Sequence, residues 1–320
     1  MLHLIVIPTP FAVGPVNVYL ADGEPLTLID TGPKWDDARR ALEAGLAALG
    51  HRVEDVRRLV LTHHHADHVG LAGEIVARSG AEVLTHPYNF PWLRDYPAER
   101  QRHHLFYTRL WEDSGVPAEV VTAMEASGLE FARWVDPLAP DLALDEGGCL
   151  ELDGSGWHVF HTPGHAGGLI CLWEPQRRTL IANDHFIKDI SSNPVLEPSP
   201  LSAGPRPKRL VQYLHQMRRM AALEPARALS GHGDVVEDVA GLVRQRLAFH
   251  ARRKERLLKL VVEQPRPLWD LVQTVFGARL QRGMDWFLGC SEILGHLDLL
   301  EEDGAIQPRR VGPVLHWTAL

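Results

Sequence analysis

Hydrophobic positions in the first eighty residues switch between two periods. Residues 2–7, 17–21, 26–29 and 56–61 are short aliphatic and β-branched runs bounded by Gly, Pro or Asp, and they predict strands. Between them Trp35, Ala38, Leu42, Leu46 and Leu49 recur at helical spacing, and Gly50 follows as a stop. A second helix is expected over residues 67–79, ending at Gly80. Strands return at 82–85, 149–152, 157–161, 169–173 and 179–182. Strand pairs this closely spaced predict a mixed α/β fold rather than a plain parallel doubly wound sheet.

The pattern changes over residues 86–140. Residues 102–113 and 118–134 read as helices separated by Pro97, Pro117 and Pro137, and nine aromatic residues fall in this stretch. It is either a helical insertion (about 87–140) with its own small core or a lid whose rings line an apolar substrate pocket. Trp92 and Tyr107 are the pocket candidates. Residues 194–207, rich in proline, read as a long ordered loop. From about Val236 the chain turns helical, with segments to Glu263, at 268–276 and at 290–303, and a hairpin at 306–317 around Gly312-Pro313. Three helices and a hairpin make winged-helix topology. The expected division is a catalytic domain over 1–240 and a small helical, winged-helix-like domain over 241–320.

Composition narrows the class. With 320 residues, 45% of them hydrophobic and 23% charged, the chain buries a sizeable core and is not disordered. A net charge of −8 disfavours a protein coated in nonspecific nucleic-acid contacts. Cys149, Cys171 and Cys290 are odd in number and form neither a CxxC pair nor a disulfide framework. No apolar stretch has bilayer length, and the start has no basic region ahead of its prolines. A cytoplasmic enzyme with no membrane partner is expected.

The chemistry concentrates after the strand at 56–61. His63, His64, His65, Asp67 and His68 fall within six consecutive positions. On an extended segment His63 and His65 share a face while His64 points away, and a bend into helix swings Asp67 and His68 toward a neighbouring point. Burying four unpaired imidazoles would cost several kcal/mol, so a metal centre is the expected reason for the cluster. Imidazole and carboxylate ligands suit Zn, with Fe or Mn as alternatives. Three later apolar runs each end in a ligand type, offering His165, Asp184 and His232, the last between two glycines.

The order T-H-x-H-x-D-H over residues 62–68, T-P-G-H over 162–165, an Asp after a strand and a late G-H-G resembles the metallo-β-lactamase superfamily. The earlier P-V-N-V-Y-L and I-D-T-G runs match the same pattern, and the resemblance covers roughly residues 1–240. It implies an αββα four-layer sandwich with the site at one sheet edge. It places His63, His65 and His165 on one metal, Asp67, His68 and His232 on a second, and Asp184 between both. Asn183 departs from the family's usual Gly before that Asp. The C-terminal module is similar to the winged-helix appendage of the branch holding glyoxalase II-like hydrolases and the mitochondrial β-lactamase-like endoribonuclease.

The resemblance implies hydrolysis by a hydroxide bridging two divalent ions, its pKa lowered toward about 7, with Asp67 and Asp184 as catalytic carboxylates. Asp30 is expected to hydrogen-bond a ligand His. His64 is expected behind the ligands or in the core, His185 as either pocket wall or core, His161 as packing, and His103-His104 as a solvated helix face. No Cys stands at the Asp184 position, which argues against antibiotic hydrolysis. A complete second ligand set argues against a mononuclear-iron persulfide dioxygenase, kept as a minor alternative.

Two hydrolytic readings remain. An aromatic insertion favours ester or thioester substrates of the acyl-glutathione, acyl-CoA or lactone type. A basic run over residues 244–259 leaves a phosphodiesterase or endoribonuclease as the alternative, although such a run is most often a solvated helix face or could hold an anionic carrier. Acids at Glu292, Asp298, Glu301, Glu302 and Asp303 would repel a DNA groove, so the C-terminal module is expected to serve packing or a homodimer contact.

Overall fold

Successive residues of the central strands bury on opposite sides, and this alternation sets the layers. The computed structural model describes residues 1–202 and 204–320. One sheet runs in spatial order β1 (Leu2–Ile7), β2 (Val16–Ala21), β3 (Thr27–Ile29), β4 (Arg58–Leu61), β5 (Glu82–Thr85) and β6 (Leu142–Ala143). Its first three strands are antiparallel and the rest parallel. The second sheet contains β7 (Cys149–Leu152), β8 (Ser155–His161), β9 (Ile170–Glu174), β10 (Thr179–Asn183) and β11 (Arg227–Ser230), antiparallel except for the β10–β11 pair.

Tyr19, Ile29, Val60 and Leu84 face inward and meet Trp157, Leu172, Ile181 and Leu229 of the second sheet. Their neighbours Val18, Leu20, Leu28, Leu59 and Leu61 face outward, against α1 (Asp36–Ala48) and, beyond the short α2 (Ala66–Val69), α3 (Ala72–Ser79). Strands covered on both faces read as continuous apolar runs, which is why Ile170–Glu174 and Thr179–Asn183 carry so few polar residues.

The helix expected over 67–79 breaks into α2 and α3 at Gly70. A Cβ there would stand 2.2 Å from the Lys34 nitrogen and 2.3 Å from the Trp134 oxygen, so only glycine fits the approach. The insertion holds α4 (Phe90–Arg94), α5 (Tyr96–Asp113) and α6 (Ala118–Glu130), the last continued by a 3₁₀ turn at Phe131–Trp134. On the outer face of the second sheet, α7 (Arg209–Ala221) packs with the start of α8 (Val239–Glu263). Then follow β12 (Arg266–Pro267), α9 (Leu268–Val275), α10 (Gly283–Glu302) and the hairpin β13 (Ile306–Val311) and β14 (Val314–Ala319), with sheet order β12-β14-β13.

Two expectations change here. The insertion does not keep a core to itself: Tyr107, Trp111, Val120 and Met124 share one apolar cluster with Leu257, Leu271, Phe287, Ile293 and Leu297 from the C-terminal elements. The boundary expected at 240/241 falls inside α8, whose first turns (Val239, Leu242, Val243) cover the second sheet and whose last (Leu257, Val261) join that shared cluster. Among the described residues no helix is long and apolar enough to cross a membrane.

Candidate metal centre

Carboxyl ends of parallel strands are where open α/β sheets present ligands. Asp30 follows β3; Thr62, His63 and His65 follow β4; Asp184 follows β10; and His232 lies two residues past β11. His165 comes from the loop between β8 and β9. His65 is still extended, so it and His63 turn to one side before α2 carries Asp67 and His68 to the other.

The donors gather in three overlapping groups, His63–His65–His165, His63–His68–Asp184 and Asp67–His68–His232, each with its ligand atoms within 4.8 Å. His65 Nδ1 lies 3.1 Å from His63 Nε2 and 2.9 Å from His165 Nε2. Ligands about 2.0–2.1 Å from one tetrahedral centre stand roughly 3.3 Å apart, so this spacing fits a shared cation. Asp184 reaches both sides: its Oδ2 is 3.4 Å from His165 Nε2 and 3.6 Å from His232 Nε2, and its Oδ1 is 3.4 Å from His68 Nε2. His232 Nε2 is 3.4 Å from Asp67 Oδ2. His68 Nε2, His232 Nε2 and Asp184 Oδ1 are buried with no hydrogen-bond partner. Such orphaned atoms are costly unless a cation takes them.

Electrostatics divides the cluster. Burial holds His63, His65 and His165 below the usual imidazole range, leaving neutral rings of the kind metals need. Burial also opposes charge on Asp67, yet His68 and His232 pull its pKa down to about 2. In return, against the same burial, Asp184 and Asp67 drive His232 up to about 10 and His68 well above its normal value. A divalent cation would answer these two carboxylates while taking the imidazole lone pairs.

The surrounding bonds orient the ligands. Asp30 Oδ2 lies 2.9 Å from His68 Nδ1 and also accepts from Asn183 Nδ2 (2.6 Å) and Thr62 Oγ1, while Oδ1 accepts from the Thr62 nitrogen. His165 Nδ1 faces the Asn193 carbonyl and His232 Nδ1 the Pro15 carbonyl. Asn183 adopts φ +46°, where Gly and Asn are the tolerated residues, and its side chain links Asp30 to the Asp184 nitrogen. A Cβ at Gly231 would sit 2.0 Å from Asp184 Oδ1, so the G-H-G run needs its first glycine.

Other expected residues fall elsewhere. His64 turns away from the cluster, stacks on Trp92 (centroids 4.8 Å, 11°) and faces Glu197 Oε2 at 3.2 Å and Asn89 Oδ1. Trp92 is buried behind His64 and offers no open pocket wall. Tyr107 is not a pocket residue either: it lies in the cluster shared with the C-terminal helices, against Phe287, with its hydroxyl donating to Leu196 O. His185 is fully buried against Phe186 and Tyr213, and burial takes its pKa down to about 3. His103 is buried against Glu99 rather than solvated. His161 stacks on His86 and faces Gly167 O.

Part of the basic run is engaged by the chain's own groups. Arg253 pairs with Glu292, Lys254 with Asp303, Lys259 with Glu255, and Arg246 donates to Ile187 and Lys188 carbonyls. The acids of α10 thus answer the bases of α8. Sequence reasoning missed Glu197 and Asn193, which lie in an aperiodic proline-rich stretch with no motif to mark them. Glu197 is buried among His64, Arg209 and the Gly167 nitrogen.

A sandwich with this donor set at its strand ends defines a metallo-hydrolase. The family description "Metallo-beta-lactamase superfamily" matches residues 12–232, and the chain belongs to that superfamily. It is 36% identical over 301 residues to the Bacillus subtilis (strain 168) protein named "Probable metallo-hydrolase YqjP", covering 94% of this chain and 92% of that one. Over 160 residues it is 28% identical to "Hydroxyacylglutathione hydrolase GloC" of Haemophilus influenzae, covering 47% of this chain and 63% of that one. The crystal structure of the metallo-beta-lactamase family protein TTHA1429 from Thermus thermophilus superposes with a TM-score of 0.83 at 30% identity, covering 100% of this chain and 98% of that one.

Proposed function

We propose that the chain is a dinuclear hydrolase of esters or thioesters. His63, His65 and His165 would hold one ion, Asp67, His68 and His232 the other, and Asp184 would touch both. The observation that carries the reading is the meeting of these seven side chains, with three orphaned buried polar atoms among them. Imidazole and carboxylate donors favour zinc, with iron or manganese as alternatives. When bound, such ions would supply Lewis acidity and lower the pKa of bound water to about 7.

The chain's own residues do the rest. Asp30 fixes His68 with Nε2 toward the cluster, and the carbonyls of Asn193 and Pro15 do the same for His165 and His232. Asp67 and His165 have side chains 14% and 11% exposed, so the cluster opens on their side. There Asp67, kept ionised by His68 and His232 against burial, would accept a hydrogen bond from water and orient it. With both ions bound, all seven side chains that meet at the cluster would be ligands, leaving no spare proton donor among them. That suits a leaving group able to depart as an anion, such as a thiolate with a pKa near 8.5, better than an amine. The resemblance to the protein named hydroxyacylglutathione hydrolase points the same way.

Phosphodiester cleavage is the second reading, favoured only by the bases of α8. Arg253, Lys254 and Lys259 are in ion pairs, and Arg246 and Arg256 donate to backbone carbonyls. In the C-terminal elements, read as a winged-helix-like module, α10 is buried along its length and cannot enter a groove. Assaying a thioester panel against bis-aryl phosphates and single-stranded RNA at equal enzyme concentration tests the ranking. Faster thioester turnover is expected, and a clear phosphodiester preference reverses it.

A further inference from the structure

His165 is bonded through its ring and its backbone to residues 193 and 195. It lies in a loop with no helix or strand of its own, flanked by Gly164, Gly167 and Gly168. A glycine-rich loop is costly to order. Three of the bonds that tether this one come from the proline-rich stretch 193–197, while Asn89 Nδ2 donates to Gly168 O and His161 Nε2 faces Gly167 O. Asn193 O faces His165 Nδ1 at 2.9 Å, the Val195 nitrogen donates to His165 O at 3.2 Å, and the Gly167 nitrogen donates to the Glu197 carboxylate.

That stretch has no ladder or helix to stiffen it; Tyr107, His64 and Arg209 hold Leu196 and Glu197, and a second set of anchors runs along α10. Asn193 Nδ2 donates to Leu288 O (3.1 Å) and the Leu196 nitrogen to Ser291 Oγ (3.3 Å). Farther on, Arg206 forks onto the buried Asp298, and Lys208 meets Glu301 and Glu302. Leu196 is itself embedded in the cluster that joins the insertion to the C-terminal helices. α10 in turn contacts α6, α7, α8 and α9.

We infer that residues 191–197 form a strap through which α10 sets the position and ring orientation of His165, with Asn193 and Ser291 as positioning residues for the first ligand set. This rests on the metal-centre reading above. The C-terminal elements then contribute to the centre without supplying a ligand, and trimming α10 at a distance loosens the ion at His165 more than the other, which the strap meets through Ser192 on the Asp184 carbonyl.

The test uses the full-length, metal-loaded protein and the variants Asn193→Ala and Ser291→Ala, with His165→Ala as the reference for a lost ligand. Arg253→Met, destabilising but off the strap, is the control. Zinc affinity by chelator competition, the cobalt(II)-loaded absorption spectrum and the unfolding midpoint are measured for each. Both strap variants are expected to fold, to weaken one of two zinc sites about 10- to 100-fold, and to shift the cobalt spectrum toward that of His165→Ala; the control leaves the spectrum unchanged. Ser291→Ala, which removes one buried hydroxyl, decides the matter should Asn193→Ala fail to fold. Wild-type zinc affinity and cobalt spectrum in the folded strap variants overturn the inference. A wild-type chain that binds no zinc overturns the metal-centre reading instead.

Discussion

The Asp30 carboxylate lies 2.9 Å from Nδ1 of His68, and neither side chain has any exposure to solvent. Asp30 also takes the Thr62 nitrogen and hydroxyl and the Asn183 amide, so one carboxylate ties three strand ends together. Replacing it with alanine orphans several buried donors at once. Asp30→Ala is expected to weaken metal binding at the His68 side about 10- to 100-fold and to cost about 1–3 kcal/mol of stability for each donor left unpaired. Metal titration and urea unfolding of the same preparation measure both. Unchanged metal affinity would remove Asp30 from the centre.

Asn183 stands where the backbone turns left-handed, and it supplies a side chain that glycine lacks. Asn183→Gly keeps the turn and loses the side-chain bonds to Asp30 and to the Asp184 nitrogen. Asn183→Val must hold a β-branched residue at φ +46° and is expected to be less stable than Asn183→Gly by about 1–3 kcal/mol. Denaturant midpoints of the two variants give the difference directly, and equal midpoints would show that the turn relaxes.

Charge pairs between α8 and α10 differ by burial from those within α8. Burial raises the pKa of Glu292 and Arg253 opposes that shift, so Arg253→Met leaves a poorly solvated carboxyl without its partner. A loss of about 1–3 kcal/mol is expected. The Lys259–Glu255 pair is mostly exposed, and Lys259→Met is expected to change stability by less than about 0.5 kcal/mol. Neither variant should alter turnover of a thioester. A large loss of turnover in Arg253→Met would instead give α8 a role in substrate binding.

Burial depresses His250 to about 4 and His296 to about 3. The pair sits between α8 and α10, 3.1 Å apart, with Arg246 and Arg253 nearby on α8, the Glu292 carbonyl on α10, Ser191 on the strap and Tyr213 on α7. Both rings stay neutral in the folded chain while the unfolded chain takes up protons below about pH 6.5. Their effect is absent above about pH 7. Stability then falls as pH drops from about 6.5 toward 4, by up to about 1.4 kcal/mol per pH unit for each ring. His250→Gln should flatten that slope in urea midpoints taken from about pH 7.5 to about 4.5. An unchanged slope would place the acid sensitivity elsewhere.

Local pattern made the sandwich legible. Short apolar runs such as residues 17–21 read correctly as strands because strand-length runs and the turn residues that bound them are short-range properties, and the proposed ligands lie just past such runs. Sequence pattern starts α10 at Cys290, whereas the helix starts at Gly283. Gly283 and Gly289 break the helical signal, and the first of these is glycine because α6 passes 2.0 Å from where its Cβ would be. The same blindness to long-range packing sends Tyr107 to a pocket wall instead of a shared core, and leaves Asn193 and Glu197 unnoticed in a stretch with no period. It also keeps the basic run of α8 and the acidic run of α10 apart, although each is the other's counter-charge.

The proposed centre stands or falls on seven side chains holding two ions. Anomalous diffraction from crystals of the zinc-loaded protein, collected above and below the zinc edge, locates those ions directly. Two peaks per chain are expected, one among His63, His65 and His165 and one among Asp67, His68 and His232, with Asp184 in contact with both. A single peak, or peaks only at sites away from these residues, would contradict the dinuclear centre.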